Sequence, residues 1–143
     1  MTTLNMTPNA VATHWSSDFV GMGWSELFTC WDLVRLVQLK CFEREMPMLD
    51  VARAQQQQVR EVVNASGWER ATGAPADGDV VLMRGPQGLH VGVVVTSGPE
   101  PSLLHNLGGI DENACAHGSV RIDEISALGR LGYGRLELWR VKV

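Results

Sequence analysis

The apolar residues of this chain change period once, and that change limits the folds open to it. From Thr29 onward Cys30, Leu33, Val34, Val37 and Cys41 fall at offsets 0, 3, 4, 7 and 11, the single stripe of an amphipathic helix. From residue 78 the pattern becomes "GDVVLMR" (78–84), "LHVGVVVTS" (89–97), "SLLHNL" (102–107), "GSVRI" (118–122) and "RLELWRV" (135–141), short β-rich runs broken by Gly, Pro, Asn and Asp. Strands linked this closely favour antiparallel pairing. The expected class is therefore α+β, with N-terminal helices packed on an antiparallel β-sheet.

Local signals place the ends of the elements. Thr29 is the expected N-cap of the first helix, Asp32 lies in its first turn where a carboxylate suits the dipole, and Pro47 ends it or closely follows. A second helix is predicted from about Asp50, as cap, to Ser66, with Gly67 as its stop. "IDEISALG" (122–129) predicts a short helix capped by Asp123, and "SSDFVGMGWSE", with Gly21 and Gly23, predicts a turning loop. Residues 1–13 are polar and aperiodic and read as an N-terminal arm. With 143 residues, no internal repeat and no linker, residues 1–143 are expected to form one domain.

Charge and composition narrow the partners. A net charge of −4 and a pI near 5.5 argue against a broad nucleic-acid surface. No apolar run reaches the ~18 residues of a membrane span. "MTTLNMTPNAVATHW" has neither the basic region nor the apolar segment of a signal peptide, so synthesis in the cytoplasm is expected. Three cysteines, an odd number, argue for reduced thiols rather than a disulfide framework.

Cys30 and Cys41 share a helix face but stand roughly 16 Å apart along the axis at 1.5 Å per residue. A disulfide needs Cα atoms within ~7 Å, and joint ligation of one zinc is excluded on the same ground. Cys41, mid-helix on the apolar stripe, reads as a small buried hydrophobe, and Cys115 in "DENACAHGS" reads as incidental. Cys30 differs because it occupies the first helical turn, where backbone N–H groups and the dipole stabilise a thiolate. His90 heads the apolar strand "HVGVVV" and His105 lies in the next, with the turn-rich "TSGPEP" between them. A hairpin that turns both rings toward the helix N-terminus would align a thiol, a base and a third group holding the base in one tautomer. Each histidine taken alone is more often a structural residue.

"FTCWDLVRLV", then "DGDVVLMRGPQGLHVGVVV", then "LLHNLGG" resembles the NlpC and p-sixty superfamily of cell-wall cysteine peptidases, and in particular its small phage-tail and prophage members. The resemblance runs from roughly Trp15 to Trp139. It implies a papain-like fold with Cys30 as nucleophile, His90 as general base and His105 as orienting residue. It further implies cleavage of an amide or isopeptide bond in the peptidoglycan stem peptide, without metal or organic cofactor. Phage tail proteins would be the implied partners, with action as a virion component or after release at the cell wall. The chain departs from the family pattern at Thr29, where an acidic or amide residue is usual, and at Asp32, where glycine is frequent. Asp32 so near the thiol is expected to raise its pKa. The backbone N–H of Cys30 is the expected oxyanion donor, with a second from Trp24 or Ser25. The alternatives are a catalytically silent structural or assembly module of a tail tip, and a thiol acyltransferase using the same three residues.

Overall fold

A computed structural model describes residues 14–51 and 53–142; the arm expected at 1–13 lies outside the described residues. Two α-helices, α1 (Cys30–Phe42) and α2 (Gln56–Ala65), precede all six strands of one sheet, β1 (Trp68–Arg70), β2 (Val80–Gly85), β3 (Gly88–Val95), β4 (Ser102–Ile110), β5 (Ala116–Glu124) and β6 (Gly134–Val141). The strand order is β1-β6-β2-β3-β4-β5, and every neighbouring pair is antiparallel. Short 3-10 segments lie before α1 (Trp15–Asp18) and between β5 and β6 (Ile125–Leu131). The α+β class read from the periodicity is the architecture observed.

Strict alternation along the central strands gives the sheet two covered faces. Leu82, Val91, Val93, Leu104 and Val120 pack with Leu33, Val34 and Val37 of α1 in the larger core. The intervening residues Val81, Met83, Val94 and Leu103 pack on the opposite face with Leu128 of the second 3-10 segment. Antiparallel sheets commonly leave one face wet, with a polar residue at every second position. Here the apolar runs "VVLM" and "VVV" have no polar alternate because both faces are buried.

Two devices set the helix against the sheet. The chain after α1 folds back along it, with Trp31 Nε1 donating to the Pro47 carbonyl (2.8 Å) and Arg35 Nε to that of Met46 (3.0 Å). Before α1, the loop through Gly21 and Trp24 closes the free edge of β5: Gly21 N–H donates to Val120 O (2.9 Å), Val120 N–H to Met22 O (2.8 Å) and Trp24 N–H to Gly118 O (3.0 Å). This covering of an edge strand requires glycine at 108, where a Cβ would lie 2.2 Å from His117 O and 2.5 Å from Trp24 Cβ.

Several boundaries differ from the sequence expectation, each for a local reason. Asp50 does not cap α2: its carbonyl closes a separate turn with the N–H groups of Arg53 and Ala54. The helix begins at Gln56, where Gln58 Oε1 accepts from the N–H of the cap residue Gln55 (2.8 Å). β1 was not anticipated, since three residues are too few to show a period; it pairs with the end of β6. Asp123 is not a helix cap, because it belongs to β5; the 3-10 segment starts after Glu124.

Gly92 on β3 stands directly opposite His105 on β4, and a Cβ there would fall 2.6–2.9 Å from three side-chain atoms of the buried Leu103. Gly92→Ala should therefore destabilise the fold by about 1–3 kcal/mol through overpacking. Urea unfolding measures this, and an unchanged midpoint would contradict the packing described.

Candidate active site

The β3–β4 ladder runs from Val95↔Ser102 to Gly92↔His105 and stops there. Each strand keeps its other partner beyond that point: β2 pairs with β3 to Gly85↔Gly88, and β4 with β5 to Ile110↔Ala116. The two strands thus fork, and a cleft of about 440 Å³ occupies the opening, lined by Leu89 and His90 from one branch, Asn106 and Leu107 from the other, and Cys30 from the start of α1. Val91, Val93 and Leu104 turn toward α1, so His90 and His105 turn to the other face. The fork is what allows a thiol from the helix side and an imidazole from the opposite side to line one cleft.

α1 starts where it does because Thr29, in extended conformation, is its cap residue. The Asp32 carboxylate accepts from Thr29 N–H (2.9 Å) and Thr29 Oγ1 (3.0 Å). The helix start is stitched to β4 by Asn106, whose Nδ2 donates to the carbonyls of Phe28 (2.9 Å) and Thr29 (3.4 Å). Asn106 Oδ1 is buried and has no hydrogen-bond partner among the described residues.

The histidines form a buried chain. His90 Nε2 and His105 Nδ1 lie 2.9 Å apart, and His105 Nε2 lies 2.8 Å from Asp123 Oδ2. Arg121 donates to the other Asp123 oxygen at 2.7 Å. His105 is fully buried, and the Tyr133 ring stacks on His90 with centroids 5.0 Å apart and planes inclined by 29°. Tyr133 fits there because Gly85 has no Cβ; one would lie 2.3 Å from the phenol ring. Among the described residues no hydrogen bond joins Cys30 to His90, and no cluster of His, Cys, Asp and Glu is arranged to hold a metal ion.

The expectation of a stabilised thiolate at the helix N-terminus is overturned by burial. Burial pushes the Cys30 thiol up to about 11, against the opposing backbone hydrogen bonds of Val91, Trp31 and Cys30 itself. Asp32 adds only the smallest of the contributions, its carboxylate being engaged by Thr29. Burial, reinforced by His105, drives His90 down to about 3. Burial also lowers His105, although Asp123 pulls it back upward. At neutral pH the resting pair is a thiol and a neutral imidazole.

Cys30 and His90 line the cleft together, while His105 lies buried behind His90 at 2.9 Å; neither ring lies on the α1 face of the sheet, in contrast to the hairpin expected to turn both toward the helix N-terminus. Neither candidate for the second oxyanion donor is free, since Trp24 N–H is bound to Gly118 O and Ser25 N–H to Phe28 O. Asp123 and Tyr133 were missed. Alternation in "VRID" would have put Arg121 and Asp123 on the face of His105; for Tyr133, in a turn before β6, no local signal exists. Cys41 is half-buried against the larger core, and Cys115 is exposed in the β4–β5 turn. Comparison with family models, with curated proteins and with solved structures returns no match.

A histidine whose folded pKa lies below its unfolded value binds fewer protons folded than unfolded, so stability falls as pH drops through the unfolded value. With His90 near 3 and unfolded histidine near 6.5, the protein should lose stability from pH ~6.5 to ~4.5, above the range in which depressed carboxylates contribute. Chemical denaturation across that window should show the slope, reduced in His90→Gln. A flat profile would mean that His90 is solvated.

Proposed function

We propose that this protein is a cysteine peptidase of the NlpC type, with a papain-like arrangement of helix and sheet, that hydrolyses an amide or isopeptide bond in the stem peptide of peptidoglycan. The observation that carries the reading is the convergence of Cys30, at a helix N-terminus, with the hydrogen-bonded pair His90–His105 at one open cleft. These are the positions singled out by the resemblance, brought together by elements that lie far apart in sequence.

The chemistry follows from the neutral resting pair. Burial penalises a single charge on Cys30 or on His90, whereas proton transfer between them creates two opposite charges together and leaves the site neutral overall. Cys30 Sγ attacks the scissile carbonyl carbon as its proton passes to His90. The carbonyl oxygen becomes an oxyanion beside the Cys30 N–H at the N-terminal end of α1, whose first internal bond is Leu33 N–H to Thr29 O (3.1 Å). His90 returns the proton to the leaving amine, leaving a thioester. Water then gives a proton to His90 and its oxygen to the acyl carbon, and the proton returns to the sulfur as the acid departs.

The cleft is sized for a peptide segment and offers apolar walls at Trp24, Leu89 and Tyr133. Delivery as a phage-tail component, or release at the cell wall, is the setting this reading entails. Among the described residues no helix is long and apolar enough to cross a membrane.

Incubation with purified peptidoglycan, followed by mass analysis of the soluble fragments, tests the proposal. Wild-type protein should release stem-peptide fragments with a new terminus, while Cys30→Ala, folded to the same thermal midpoint, should release none above background. Equal release by Cys30→Ala would rule out the thiol mechanism, and no release by wild type would favour a silent structural module.

A further inference from the structure

We infer that Asp123 is a positioning residue that fixes the tautomers of both histidines, so that Nδ1 of His90 is the nitrogen that takes the proton from Cys30. The inference rests on the thiol-hydrolase reading for its consequence in turnover, but the proton positions follow from the hydrogen-bond chain itself.

The chain can be followed from its charged end. Asp123 is an acceptor only: its Oδ1 is bound by Arg121 and its Oδ2 faces His105 Nε2. Its carboxyl is held below the ordinary value by hydrogen bonds from Arg121 and His105, which outweigh its partial burial. The proton between Asp123 and His105 therefore sits on His105 Nε2. His105 is fully buried and kept neutral, so its Nδ1 carries no proton and must accept. Among the described residues the group it meets at hydrogen-bond distance is His90 Nε2, at 2.9 Å, which therefore donates. His90, neutral as well, is left with a bare Nδ1. The single negative charge at the far end of the chain orders each proton in turn, and the Tyr133 ring stacked on His90 restrains the imidazole from turning over.

Replacing that charge by a donor reverses the whole chain. In Asp123→Asn the side-chain amide can donate to His105 Nε2, which moves the His105 proton to Nδ1. His105 then donates to His90 Nε2, and the His90 proton moves to Nδ1, the atom that must be empty to accept from the thiol. A loss confined to packing would not do this, because asparagine and aspartate have nearly the same shape.

Nitrogen-15 NMR of the labelled full chain, without substrate, reads the tautomers directly, and muropeptide hydrolysis reads the consequence. In wild type both histidines should be neutral and protonated at Nε2. In Asp123→Asn both should shift to protonation at Nδ1, with kcat lowered by about 10²-fold or more and KM little changed. Asp123→Glu should keep the wild-type tautomers and a larger share of the rate. His90 protonated at Nδ1 in wild type would overturn the inference even if no variant folds, as would Asp123→Asn with unchanged tautomers. A tautomer switch without loss of kcat in an active enzyme would overturn the positioning role. A switch in a wild-type background that shows no hydrolysis would support the ordered chain while refuting the peptidase reading.

Discussion

The site exists because one ladder of hydrogen bonds ends early. Had β3 and β4 stayed paired beyond Gly92 and His105, the sheet would have separated the α1 side from the opposite face, with Cys30 and the histidines on different sides of it. The fork removes that barrier over a few residues while β2 and β5 hold the two branches in place. Asn106, the first β4 residue past the fork, spends its side chain on the carbonyls of Phe28 and Thr29 and so fixes the helix start over the opening.

Burial sets the electrical character of this opening. A helix N-terminus favours a thiolate, yet enclosure by the surrounding protein reverses the balance at Cys30, and the same enclosure discharges His90. The outcome is a site without net charge at rest, in which charges develop as a pair. A neutral histidine at each of two buried positions is stable only if its hydrogens are matched to acceptors, which the chain ending at Asp123 and Arg121 provides. Directional hydrogen bonding, rather than a standing ion pair, is therefore the property that prepares the cleft for nucleophilic chemistry.

How much of this could be read from the sequence depended on the range of the signal. The helical stripe from Cys30 to Cys41 and the apolar strands carrying His90 and His105 are local patterns, and the structure places them as elements of the expected type. The cap at Thr29 with Asp32 was legible for the same reason. Asp123 was misplaced because an acidic residue before "EISALG" matches a helix cap as well as it matches the end of a strand, and only the register of β4 against β5 decides between them. The fork was not legible at all, since nothing in "HVGVVV" or "LLHNLGG" states where their pairing ends. The shift of α2 to Gln56 has a smaller cause: Asp50 closes a separate turn through its carbonyl, and the helix is capped at Gln55 with Gln58.

The most direct measurement is the site of covalent capture by a stem-peptide chloromethyl ketone, located by peptide mapping after reaction with the folded protein. Such a reagent must enter the cleft and meet a nucleophile there, so its outcome does not depend on which bond is hydrolysed. Modification should fall on Cys30, leave Cys41 and the exposed Cys115 unmodified at the same reagent concentration, and slow by about 10²-fold in His90→Ala. Modification of Cys115 with Cys30 untouched, or capture at Cys30 that proceeds as fast without His90, would contradict the account.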